Sequence, residues 1–229
     1  MPWLSPSLFQ QKNEDTVSGG DSRGALFAFL CGNSDIPNGQ DVLFDGLQAM
    51  IDGDVPEVLP SFYDGALPAT IDKRVKDELG LFIIPSAVNP HFPAVPNFFM
   101  EFKAPNEDPD VAKRKACYYG ALGARAMHKL QTYKEDPFYD NEAHTFTSIY
   151  DPATGILELY VTHPTQPTST STSPEYHMTQ IGSYGLTDDI DKCRRGLTAF
   201  RNARDLAKEE RDRFIEEANV KARALDTDE

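Results

Sequence analysis

Apolar residues recur along this chain with two different periods, and the changes of period outline alternating helices and strands. Residues 97–103 give the clearest strand: Phe98, Met100 and Phe102 point to one side, and Asn97, Phe99, Glu101 and Lys103 to the other. Residues 111–130 carry the helical period. Ala112, Ala116, Tyr119, Gly123, Met127 and Leu130 share one face, whose small residues predict a close approach to a sheet. Arg114, Tyr118, Arg125 and Lys129 gather on the opposite face.

Other segments follow the same reading. Residues 25–32 suit either a strand or a helix, and residues 41–51 predict a helix through Leu43, Leu47 and Met50. Residues 55–67, with Pro56 and Pro60, read as loop. Thr70 is placed to cap a helix over 71–79 that ends at Gly80, with Glu78 inside its apolar stripe of Ile71, Val75 and Leu79. A strand is expected over 81–85, then a proline-bounded loop to residue 96. Residues 145–150 and 156–162 read as strands joined by an Asp-Pro-Ala-Thr-Gly turn, and 176–184 as a further strand. Residues 163–175 are rich in Pro, Ser and Thr and predict a flexible loop. Thr187 begins a long C-terminal helix that reaches residue 224, with Ile190, Cys193, Leu197 and Phe200 as its buried seam. Residues 1–24 show no periodicity and read as a mobile tail ahead of one α/β domain over 25–225.

Composition narrows the class. With 40% hydrophobic and 25% charged residues among 229, the chain is of ordinary globular make-up. No apolar run approaches the ~20 residues of a membrane span, so no membrane partner is expected. Cys31, Cys117 and Cys193 lie far apart with no CxxC pair, which argues against zinc and disulfide frameworks. With no basic and apolar leader at the start, the expectation is an intracellular protein of the cytoplasm or nucleus. Walker and Gly-x-Gly-x-x-Gly motifs are missing from the sequence. His163 and His177 can meet across adjacent strands, where structural histidines are the expectation. The formal net charge of −14 opposes long-range capture of phosphate. Residues 81–134 run against that trend, with seven basic and four acidic side chains.

That basic segment contains the motif with most chemical content, Asn97-Phe98-Phe99-Met100-Glu101-Phe102-Lys103. A carboxylate and an ammonium two residues apart on one strand face are what metal-assisted phosphodiester hydrolysis needs, the first to hold a divalent ion and the second to orient water. A helix carrying Glu78 precedes it and a basic helix follows, an order that resembles the PD-(D/E)XK, restriction-endonuclease-like core. The resemblance covers residues 70–130 and implies a mixed central sheet with helices on both faces. It also implies a site of Glu101, Lys103 and Glu78, a Mg²⁺ or Mn²⁺ ion held by Glu101, Asn97 and Glu78, and help from Lys113, Lys115 or Tyr118 on the next helix. Asn97 stands where that superfamily has Asp, so the ion would be held weakly, or Asp64 or Asp72 would serve instead. Residues 62–222 also resemble a family of proteins from filamentous fungi, through Asn97-Phe98-Phe99-Met100-Glu101, Thr162-His163-Pro164-Thr165 and Tyr176-His177-Met178-Thr179-Gln180. That second resemblance implies one domain and brings no activity with it.

Two functions follow as expectations. The first is a nuclease, or a degenerate nuclease-fold protein, that meets nucleic acid through Lys113, Arg114, Lys115, Arg125 and Lys129. The second is an acidic protein–protein interaction module on the same fold, paired with a protein partner or with itself through the final helix.

Overall fold

The protein, seen here as a computed structural model, is described at residue 13 and over residues 23–51, 57–168 and 173–226. Helix α1 spans Arg23–Cys31 and strand β1 Asn38–Gly39. Strand β2 (Phe62–Ala66), helix α2 (Lys73–Ile83) and strand β3 (Ala94–Phe102) follow. Helix α3 (Pro109–Gln131) leads to the strands β4 (Thr145–Asp151), β5 (Ile156–Thr165) and β6 (Glu175–Gly185), and helix α4 (Ile190–Asp226) ends the chain.

The six strands form one mixed sheet in sequence order. Every neighbouring pair is antiparallel except β3 and β4, which are parallel and register Phe98 with Phe146 and Glu101 with Ile149. A parallel pair needs a crossover, and α3 supplies it. The expected α/β domain with a mixed sheet, flanking helices and a long C-terminal helix is therefore what the chain forms.

Alternation along β3 divides the core. Phe98, Met100 and Phe102 join Phe146, Tyr150, Leu157 and Leu159 in a cluster with Leu26 and Leu30 of α1 and Phe200, Ala203 and Ala207 of α4. On the other face, Phe99 packs with Tyr119 of α3, and Ile149 and Tyr160 pack on Ala112 and Ala116. The small residues of α3 permit this contact. A Cβ on Gly120 would lie 2.4 Å from Thr162 Oγ1, and one on Gly123 2.8 Å from Thr145 Cγ2 and 2.9 Å from the Pro96 carbonyl oxygen. Helix α2 closes one end, where Val75, Leu79 and Ile83 meet Met127 and Leu130 of α3 and Phe214 and Ala218 of α4.

Several local expectations are overturned, each for a tertiary reason. Residues 41–51 form turns rather than a helix, because their amides bond to distant backbone: Phe44 N–H to Val58 O, Gly46 N–H to Pro85 O and Gln48 N–H to Leu81 O. Within the expected loop of 55–67, residues 62–66 are strand β2, buried at every position. Helix α2 is capped by Asp72, whose carboxylate accepts from Arg74 N–H, while Thr70 donates to Leu67 O. The helix then runs through Gly80 and the expected 81–85 strand to Ile83, since burying Ile83 below Val75 and Leu79 outweighs the glycine's cost of about 1 kcal/mol. Strand β3 begins at Ala94, inside the expected loop, and residues 25–31 resolve as helix. The expected 163–175 loop is narrowed at both ends by β5 and β6, and its residues 169–172 lie outside the described ones. So does the expected tail, apart from Asn13, Arg23 and Gly24; Asn13 donates to Pro152 O and accepts from the Tyr150 hydroxyl. Ile190 is 40% exposed, so the seam of α4 starts at Cys193.

The core-facing stripe of α4 contains two fully buried arginines. Arg204 grips Asp64 of β2 through both nitrogens of one guanidinium edge, Nε to Oδ2 at 2.7 Å and Nη2 to Oδ1 at 2.8 Å. Removing one member of such a pair strands the other charge in the core. Arg204→Ala is therefore expected to lower stability by about 3–5 kcal/mol. Exchange of the pair for Met and Leu should cost far less, and urea denaturation of the two variants checks the difference.

Candidate functional site

Glu101 lies on the α3 face of β3, the third of six strands, and is 4% exposed. Its Oε1 accepts from Lys115 Nζ of α3 at 2.8 Å, and its Oε2 from the Ser61 hydroxyl at 3.1 Å and Ser61 N–H at 3.4 Å. The Ser61 oxygen also accepts from Phe102 N–H. Lys115 Nζ reaches a second carboxylate, Glu107 Oε1, at 2.7 Å. Glu107 is itself held from behind, its Oε2 accepting from Ala104 N–H. The ammonium thus sits between two carboxylates. Burial opposes its charge, but the two hydrogen bonds outweigh that and hold the Lys115 pKa above the ordinary lysine value.

Lys103 follows directly after β3 and is 8% exposed. Its Nζ lies 3.5 Å from Asp151 Oδ2 at the end of β4 and donates to Ala104 O. The parallel register of β3 and β4 places Asp151 there. Two ion-paired groups therefore stand near the end of β3: Lys115 between Glu101 and Glu107 with Ser61 at its edge, and Lys103 with Asp151. Buried Tyr119 lies beside the first, and its phenol is pushed above the ordinary value by burial first and by Glu101 and Glu107 after that.

The predicted site residues separate in this fold. Glu101 meets Lys115, while Lys103 pairs separately with Asp151. Asn97 does not join them: it is four residues back, ~13 Å along a strand, at the irregular start of β3 where Val95 has φ 53° and the β2 pairing shifts register. Its side chain is wholly engaged by the other layer, donating to His144 O and Ala207 O and accepting from Arg211 Nη1. Glu78 is also elsewhere, on α2, where it pairs with Lys134 at 2.6 Å and is half-exposed. Asp64 pairs with Arg204 on the opposite face, and Asp72 caps α2. Of the three groups expected to hold a divalent ion, only Glu101 is present, and its free side faces an ammonium. These residues do not fit a Mg²⁺ or Mn²⁺ site of the expected composition.

Sequence reasoning missed Ser61, Glu107 and Asp151. Ser61 was hidden in a segment read as loop, and Glu107 in the Asn-Glu-Asp-Pro run before α3. Asp151 falls in the predicted Asp-Pro-Ala-Thr-Gly turn, one residue beyond the predicted strand that ends at Tyr150.

The basic face of α3 also divides. Lys113, Arg114 and Lys129 face solvent, Lys115 turns inward, and Arg125 is half-buried. The Arg125 guanidinium donates to Ala49 O at 3.2 Å and to Gln48 O, pinning the 41–51 turns to α3. Burial lowers its pKa. Both Arg125 and Lys129 stack over Phe82 of α2.

His163 and His177 are register partners on β5 and β6 with rings stacked 5.6 Å apart, and His177 also bonds Thr165. Asp140, Glu142 and His144 bring potential ligand atoms within 4.8 Å of one another. Both ring nitrogens of His144 are already taken, by Asp140 and by Glu210 of α4, each at 2.9 Å. Among the described residues no helix is long and apolar enough to cross a membrane. In comparisons with known proteins, no family model, curated protein or solved structure matches the chain.

Proposed function

We propose that this chain is a degenerate nuclease-fold protein that binds nucleic acid without hydrolysing it. The observation that carries the reading is the Lys115 ammonium between Glu101 and Glu107. A cation held by two carboxylates at the Glu-x-Lys strand is the electrostatic arrangement of a metal site, and here a side chain of the same chain provides the cation. Ser61, just before β2, stands beside Glu101 and offers a hydroxyl where a metal site would hold a further carboxylate. The mixed central sheet with helices on both faces is what the restriction-endonuclease-like reading expects.

The surface left for nucleic acid is the outward side of α3, with Lys113, Arg114 and Lys129 as contacts. Each phosphate neutralised contributes about 0.9 to the salt slope, so three contacts give a slope of about 2.7 in log affinity against log salt. Reversing Lys113 and Arg114 to Glu should flatten it to about 1. Fluorescence anisotropy with a labelled duplex and a labelled single strand measures both. A wild-type slope above about 4 would mean that Lys115 and Arg125 also reach phosphate, contrary to their internal partners.

The lysine bridge gives a second expectation. Lys115→Met removes the internal cation and leaves two carboxylates facing each other. The side chain is 39% exposed, so solvent screens much of the loss, and the cost should be about 1–3 kcal/mol. Millimolar Mn²⁺ should restore part of that stability and give a measurable calorimetric heat with the variant, while wild type shows neither. Heat with wild-type protein that disappears in Glu101→Gln would establish a metal site and overturn the reading.

A specific observation favours the second function. Strand β6 is an 11-residue edge strand with no buried position, Ile181 is 51% exposed, and Glu175 is its one formally charged residue. Such an edge offers unpaired backbone groups to another strand. The final helix is a poorer contact surface than expected, because its outward side is laced with pairs such as Lys208–Asp212 and Arg213–Glu217. If no nucleic acid is retained at low salt, a protein partner or second copy at β6 replaces the first reading. Ile181→Lys should then abolish self-association or partner capture in analytical ultracentrifugation.

A further inference from the structure

Outside the Glu-x-Lys cluster, the connection from α3 to β4 carries Asp140, Glu142 and His144, whose potential ligand atoms lie within 4.8 Å of one another. His144 is the fixed member. Its side chain is 9% exposed, its ring meets that of Phe214 of α4 edge-on at 4.9 Å, and its carbonyl oxygen accepts from Asn97 Nδ2. Its Nδ1 faces Glu210 Oε2 of α4 at 2.9 Å, and its Nε2 faces Asp140 Oδ2 at 2.9 Å. Asp140 is steadied from α3, where Gln131 Nε2 donates to the same Oδ2 at 2.6 Å. The Asp140 side chain is 27% exposed and Glu142 is exposed, so the cluster opens to solvent on its carboxylate side.

A ligating histidine offers one ring nitrogen to the ion and gives the N–H of the other to a carboxylate, which fixes its tautomer and orientation. Glu210 holds that outer position, and it comes from a different element than the three ligands. Gln131 does the same for the Asp140 carboxylate. On the inner side, Nε2 and Oδ2 stand 2.9 Å apart with one proton between them. Two ligands of a zinc ion, each ~2.0–2.2 Å from it, are themselves ~2.8–3.6 Å apart. An ion therefore takes the place of that proton with little movement of either group. Glu142, with no ion pair among the described residues, turns inward as the third ligand. The contact that occupies Nε2 is thus between two of the ligands themselves, and no other cation has to leave. Arg213 shares Glu210 Oε2 with His144, is 48% exposed and stays outside the ligand set. Once the Nε2 proton is gone, Asp140, Glu142 and Glu210 exceed Arg213 by two negative charges, which one divalent ion balances.

The donor set selects the ion. Zn²⁺ accepts imidazole and carboxylate together, whereas Mg²⁺ and Ca²⁺ favour oxygen alone. We propose that Asp140, Glu142 and His144 bind one Zn²⁺ ion, with Glu210 positioning His144 from behind and the remaining coordination positions open to water. Binding releases the Nε2 proton to solvent. The ion joins the α3–β4 connection to the start of β4 and, through Glu210, to α4. The site lies apart from the nucleic-acid reading, since none of its ligands belongs to the Glu101 cluster or to the outward side of α3.

Calorimetry of the full chain with zinc chloride tests it. One ion should bind with a Kd of about 10 µM or tighter. Comparing buffers of different ionisation enthalpy should show about one proton released per ion. Mn²⁺, lowest in the divalent series, and Mg²⁺ should give no heat at about 1 mM, so the site is read separately from the Glu101 cluster. Glu142→Gln and Asp140→Asn, both on the exposed side, should each weaken Zn²⁺ at least about tenfold. Glu210→Gln keeps an acceptor for Nδ1, so melting without zinc should stay near wild type while Zn²⁺ affinity falls about 10–100-fold, a split that a merely structural role does not give. Glu101→Gln and His163→Asn should leave zinc binding unchanged. Absence of zinc heat with wild type up to about 1 mM would overturn the site. So would heat that survives both Glu142→Gln and Asp140→Asn, or heat lost in His163→Asn, which would move the ion to the stacked His163–His177 pair. Mg²⁺ bound as tightly as Zn²⁺ would mark an unspecific acidic patch and overturn the ligand class.

Discussion

Two guanidinium groups enter the core of this protein from helix α4, and their need for partners organises the rest of the structure. A buried charge is tolerated only when it is paired and hydrogen-bonded. Arg204 finds Asp64 on β2, 140 residues away in sequence, and Arg211 finds Asn97 on β3. Burial pushes the Asp64 carboxyl upward against the pull of Arg204, so the pair holds its charges only because both members are present. A third arginine of the same helix, Arg201, donates to Phe29 O and Leu30 O and so ties down the end of α1. The α4 layer is thereby attached to two adjacent strands and to α1 by polar contacts with fixed geometry, with Phe98, Phe200 and their neighbours filling the space between.

This arrangement decides what the Glu-x-Lys strand can do. Asn97 is committed to Arg211 and to the carbonyl of Ala207, so it serves the α4 layer while Glu101 serves the α3 layer. Replacement of Asn97 by Asp would create an ion pair with Arg211 rather than a ligand for a metal near Glu101. The loss of a metal set therefore does not come down to one substitution. Glu78 is turned to Lys134, Ser61 offers a neutral oxygen, and Lys115 fills the position between Glu101 and Glu107. Each of these residues is satisfied where it stands, and a divalent ion would have to displace an ammonium held by two hydrogen bonds.

What could be read from sequence follows from how local each signal is. The alternation of residues 98–102 and the small-residue stripe of α3 are periodic and face a uniform environment, and both are found as expected, including the close approach at Gly123, whereas Asn97 leaves its predicted face and turns to the α4 layer. Strand β2 was illegible because all five of its residues are buried and one is a charged aspartate, which alternation cannot flag. Its justification lies in Arg204, far along the chain. Residues 41–51 have a helical spacing of apolar groups, but their amides find carbonyls at Val58, Pro85 and Leu81 that no local pattern reveals. Helix α2 ran past its glycine for the sake of Ile83, whose partners lie on α3 and α4. The Glu101–Lys103 pair was legible for the same reason as its strand. The partners Ser61, Glu107 and Asp151 were not, because each comes from a segment whose position depends on sheet register.

The net charge of −14 takes on a different meaning once these contacts are known. The apparent basic island of residues 81–134 is spent partly inside the protein: Lys103 on Asp151, Lys115 on two glutamates, Lys134 on Glu78 and Arg125 on backbone carbonyls. Three cations on α3 remain for a polyanion, against an acidic surface elsewhere. Long-range steering is thus unfavourable, and any nucleic acid bound must be held by short-range contacts along one helix face, within a Debye length of about 8–10 Å.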